Sequence, residues 1–151
     1  MRKAKRLVGI ALLSGALLVA AATAAAAEPK SPAAVNMGLK ILAGVYGDMD
    51  RKLAAGQYDR LPHENQEFQE GSGALEDAIA NEPADFKTKV EATLKTTLSA
   101  ATQVADASAS HDPSKVKAAL DALATALRNL NALFPERLRA EPGTVAPGRP
   151  H

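Results

Sequence analysis

Three histidines, three methionines and no cysteine bound the chemistry open to this chain of 151 residues. Without a thiol there is no disulfide framework, no thiolate nucleophile and no zinc–thiolate site. The densest polar run is His63-Glu64-Asn65-Gln66-Glu67-Phe68-Gln69-Glu70. On a helix, His63, Glu67 and Glu70 fall at i, i+4 and i+7, so one face would present an imidazole and two carboxylates, donors suited to a divalent metal. A complete site also needs a ligand from another helix, and none is evident. The expectation is therefore a solvated face whose acids sit favourably near a helix start. Met37 and Met49 are soft donors for copper or a non-covalently held haem, but they lie 12 residues apart on different seams. Met49 falls on the core seam, where a methionine fills space. No metal and no cofactor are expected.

His111 stands in a linker before Asp112, and His151 ends the chain. Ser99, Ser108 and Ser110 have no triad partners at readable spacing, and no acid and base are placed to flank a substrate. The chain reads as a non-enzyme. Ser72 and Asn131 interrupt apolar seams; both are expected at the bundle boundary, in contact with water. Lys40, Lys52, Lys87, Lys89 and Lys95 alternate with acids on outward faces and serve solubility and i,i+4 pairing.

The elements that position these residues begin with a leader. Arg2, Lys3, Lys5 and Arg6 precede an uncharged apolar run from Leu7 to Ala27 that ends in three alanines. This reads as a secretory signal peptide over residues 1–27, not a retained anchor, because its second half is alanine-rich and its small-residue end suits cleavage. No cysteine is present for lipidation. The chain is expected to be periplasmic or secreted, with no stable membrane insertion after cleavage. Losing four of 18 Lys and Arg leaves 14 against 17 Asp and Glu, a mature net charge of −3. No basic stripe with interleaved aromatics remains, so a nucleic-acid partner is not expected.

Four helices follow from punctuation and period. Ser31-Pro32 opens the first, with Val35, Leu39, Leu42, Tyr46, Met49 and Leu53 spaced 4-3-4-3-4 and Gly56 as its left-handed stop. The second runs from near Asp59, with Pro62 in its first turn, through Phe68, Leu75 and Ile79 to Asn81. Gly71-Ser72-Gly73 lies inside it and marks close helix approach or a local distortion. The third starts at Pro83 or Asp85 and carries Phe86, Val90, Leu94, Leu98, Ala101 and Ala105, with Val104 alongside. Asp112-Pro113 opens the fourth, whose seam is Val116, Leu120, Leu123, Leu127, Leu130 and Phe134, limited by Pro135. Short connections between helices of this length specify an all-α, antiparallel up-down-up-down four-helix bundle over 28–140. Residues 141–151, with three prolines and two glycines, read as a disordered tail.

The leader, the mature length, four helices and a last helix ending in an aromatic resemble the cytochrome c prime family of periplasmic haem bundles. The stretch Leu39 to Asp59, with its Ala-Gly-Gln-Tyr-Asp turn, is similar to that family's first helix and turn. The resemblance implies a C-x-x-C-H haem motif two residues before the terminal aromatic. With Phe134 on that aromatic, Leu127 and Leu130 take the cysteine positions and Asn131 the histidine position, so a covalent haem is excluded. A b-type bundle cytochrome would use a methionine early in the first helix, which Met37 could supply, and a histidine in the last, which is missing. The resemblance also implies pairing into a homodimer. Together these readings point to an exported, haem-free bundle acting as a binding or interaction module for a protein or small ligand, with a non-covalent haem or copper electron-transfer protein as the alternative.

Overall fold

The computed structural model describes residues 26–143. The expected signal peptide therefore lies outside the described residues apart from Ala26 and Ala27, and the expected tail apart from Glu141–Gly143. Four helices follow in order: α1 (Pro32–Ala54), α2 (Leu61–Ala78), α3 (Ala84–Ser108) and α4 (Pro113–Asn131). Single 3-10 turns at Tyr58–Arg60 and Glu136–Leu138 complete the regular structure among the described residues. Each helix packs on its chain neighbour and α4 returns to α1, an all-α four-helix bundle.

The helix ends show why the boundaries fall where they do. Gly56, at φ +68°, closes α1. Its N–H donates to the Leu53 carbonyl at 3.0 Å, and the Gln57 N–H reaches back to Lys52 at 2.8 Å. This is the paired Schellman stop that only a left-handed residue permits at low cost. Asp112 caps α4 by accepting from the Ser114 and Lys115 N–H groups at 2.9 and 3.4 Å. Ser31 holds the cap position of α1, but its side chain makes no capping bond; Pro32 alone opens that helix. α2 starts at Leu61, later than expected, because residues 58–60 tighten into the 3-10 turn. It stops at Ala78, and Ile79 caps it.

Two registers differ from expectation. The buried line of α3 is Val90, Leu94, Thr97, Ala101, Val104 and Ser108. Leu98 and Ala105 flank it, half-buried. A 4-3-4-3-4 spacing stays on one face, whereas two successive steps of four drift off it. Thr97 tolerates the core because its hydroxyl donates to the Thr93 carbonyl at 2.9 Å. α4 ends at Asn131, and Leu133 and Phe134 follow in tight turns whose N–H groups reach Leu130 and Asn131 at 3.2 and 3.0 Å. Phe134 is still fully buried, edge-on to Phe86 at 5.7 Å between ring centroids.

Glycine sets the α1–α2 contact. A Cβ on Gly38 would lie 2.9 Å from the Leu75 Cα, and one on Gly71 would lie 2.6 Å from Ile41 Cγ2. α2 continues through Gly71 and Gly73 without a break. The close approach expected of the glycines is made at Gly71, with Gly38 as its counterpart on α1; Gly73 faces open space.

Candidate functional site

At the start of α2, His63 Nε2 lies 3.1 Å from Glu67 Oε1, both side chains about half exposed. Glu70 instead accepts from the Gln66 amide at 2.9 Å, turned away from the imidazole. The i, i+4 pair is brought together and the third member is not. Among the described residues no group of three His, Asp or Glu side chains is arranged to hold a metal ion.

The residue that spacing arguments passed over is Glu64. It occupies the apolar line of α2 between Leu61 and Phe68, with Ser72 and Leu75 beyond, and it is 7% exposed. Burial raises its pKa above the ordinary carboxyl value; Glu67 and Asp48 push the same way, while Lys52 and His63 oppose them. The signal was present as a 3-4-4-3 spacing from Leu61 to Leu75, hidden because a charged residue was counted with its polar neighbours.

The two methionines are not brought together. Met49 is fully buried in the core, and Met37 is 64% exposed. At the opposite end from the α2–α3 turn, His111 Nε2 sits 3.0 Å from Asp59 Oδ1, and its ring centroid is 5.3 Å from that of Tyr58. His111 has φ +51°. It takes the left-handed position after α3, a conformation that histidine visits more readily than most side chains. On the α1–α4 seam, burial raises the Tyr46 phenol pKa, reinforced by Asp50 and Asp121 and opposed by Lys117 and Arg128. An open groove of about 520 Å³ runs along the outer face of α3 and α4, lined by small side chains that include Thr96, Ser99, Ala122 and Ala126.

The residues at the positions where the resemblance would place haem do not fit that group. Leu127 and Leu130 are packed in the core. Asn131, 2% exposed, is fully engaged. Its amide donates to Leu127 O at 2.9 Å and to Ala140 O at 3.1 Å, and its oxygen accepts from Ala140 N at 2.8 Å. The expectation that Asn131 and Ser72 meet water at the boundary is corrected on both counts. Ser72 is also buried, and its hydroxyl donates to the Gln69 carbonyl at 2.7 Å. Local carbonyls and a returning chain segment supply partners that an isolated helix pattern does not display.

Compared with known protein families, curated proteins and solved structures, the chain shows no match.

Proposed function

We propose that this protein is an exported, haem-free four-helix-bundle binding module, similar in layout to cytochrome c prime, that meets a protein or small ligand through its surface. The observation that carries this reading is the filling of the bundle where that family would hold iron. Leu127 and Leu130 pack there, and Asn131 spends all three of its bonds on Leu127 and Ala140. No fully buried side-chain nitrogen or oxygen among the described residues lacks a hydrogen-bond partner. Surface features remain available: the exposed Met37 and the shallow groove on α3 and α4. Among the described residues no helix is long and apolar enough to cross a membrane.

Expression of the full chain, fractionation of the cell, and an absorption spectrum with elemental analysis of the product test this reading. A mature mass starting at Glu28 in the periplasmic fraction, with a colourless and metal-free protein, is the expected result. A Soret band or stoichiometric copper would overturn the haem-free reading in favour of electron transfer. An uncleaved chain in the membrane fraction would overturn export as a free bundle.

A further inference from the structure

Five polar residues are buried among the described residues: Glu64, Ser72, Thr97, Ser108 and Asn131. Four are hydrogen-bonded. Ser72 donates to Gln69 O, Thr97 to Thr93 O, Ser108 to Ala105 O, and Asn131 is bracketed by Leu127 and Ala140. Glu64 is the exception: no donor among the described residues sits on its carboxylate, whose oxygens keep some contact with solvent, although the residue occupies a core position in the first turn of α2. A buried carboxylate is tolerated when it is neutral or well paired, and costs stability when it is ionised without donors. Its remaining sliver of exposure, 7%, still lets solvent protons reach it.

The surroundings make its ionisation harder. Asp48 and Lys52 face it from α1, and His63 and Glu67 from its own helix. Asp48 is already paired with Arg51, and His63 with Glu67. The 3-10 turn before it carries Asp59 and Arg60, and Asp59 is drawn away to His111. The second half of α3 contributes only one charged residue, the exposed Asp106. Among the described residues no cation forms an ion pair with Glu64, and the fields of Lys52 and His63 only partly oppose the effect of burial.

We propose that Glu64 makes the first turn of α2 proton-sensitive, its ionisation loosening the seat of that turn on α1 and its protonation restoring it. The sign follows from linkage. A carboxyl that holds its proton more tightly in the packed turn than in the opened one stabilises the packed turn at low pH, and that stabilisation is lost as pH rises through the raised value. The turn joins α1 to α2 at the end of the bundle held by Tyr58, Asp59 and His111, so its loosening would free that corner without opening the core.

The test is amide hydrogen exchange by NMR on the purified full-length chain, corrected for the intrinsic pH dependence of exchange. Protection of residues 61–68 is compared with that of residues 120–127 in α4. As pH rises above the ordinary carboxyl range the relative protection of the α2 turn should fall, with about tenfold per pH unit the limit for one proton. Glu64→Gln should flatten the profile, and His63→Gln should leave most of the slope in place. A flat wild-type profile overturns the proposal, as does an unchanged slope in Glu64→Gln. A slope abolished by His63→Gln also overturns it and assigns the effect to the His63–Glu67 pair. Carboxyl carbon titration of the wild type supplies a readout independent of any variant: a Glu64 resonance titrating with the exposed glutamates would equally overturn it.

Discussion

Asn131 shows how a single side chain closes a bundle. Its amide holds the backbone of Ala140 from both sides, at 3.1 and 2.8 Å, while staying anchored to its own helix at Leu127. Asn131→Ala leaves the Ala140 N–H and C=O without these partners at a buried position, which should cost about 2 kcal/mol. Urea denaturation followed by circular dichroism should show a lower midpoint at an unchanged slope. The position was legible as an interruption of the α4 seam. Its partner was not, because Ala140 lies nine residues on, beyond a proline turn. The His63–Glu67 contact was legible from i,i+4 spacing, whereas Glu64 was obscured by the charges beside it. Tyr46 gives a second prediction at this scale. Its pKa is raised from 10.0 by burial, with Asp50 and Asp121 adding to the effect. The phenol stays protonated more tightly folded than unfolded, so its contribution to stability is present below its ordinary pKa and is lost as pH climbs through the raised value. In a Tyr58→Phe background, which leaves Tyr46 as the only tyrosine, the ultraviolet titration should lie above that of a free tyrosine. A titration at or below the free value would sink this account.

At the scale of the element, glycines divide by what stands against them. Gly38 has the Leu75 backbone 2.9 Å from where a Cβ would sit, whereas Gly44, also inside α1, has nothing within 4 Å. Gly38→Ala should destabilise by about 1–2 kcal/mol, because the cost of pushing two helices apart exceeds the gain in helix propensity. Gly44→Ala should stabilise by up to about 1 kcal/mol, with no contact to disturb. Thermal melts of the two variants side by side check the pair; equal shifts of one sign would show that α1 and α2 do not meet at Gly38. Helix order, the Gly56 stop and the Asp112 cap were legible because their causes are local. The α3 register was not. Leu98 looks more like a core residue than Thr97 until the neighbouring helices choose the face, and a threonine can enter because it bonds its own helix. The α1–α2 approach was half legible: Gly71 marked it on one helix, while Gly38 resembled any other interior glycine.

For the whole molecule, the end of the bundle that carries Phe134 is held by segments distant in sequence. Glu28 pairs with Arg137, and Lys30 binds Asn81 and Glu82 at 2.5 Å. Asn36 donates to the Leu138 carbonyl at 2.9 Å. The segment after α4 therefore acts as a lid on the core: Leu138 and Ala140 are buried, in the same core cluster as Phe134. A chain ending at residue 134 would expose part of the core that Leu138 covers and leave the Asn131 amide without Ala140. Together these losses should cost about 3–5 kcal/mol, a large share of the stability of a domain this size. A chain ending at residue 143 keeps every one of these contacts, and the proline and glycine content of the removed stretch predicts almost no change in its melting midpoint. Chemical denaturation of the two truncations separates lid from tail. If the shorter chain melts with the full-length protein, the returning segment is decoration and the bundle is complete at the end of α4. If both truncations lose stability equally, residues beyond 143 belong to the fold and the tail reading fails.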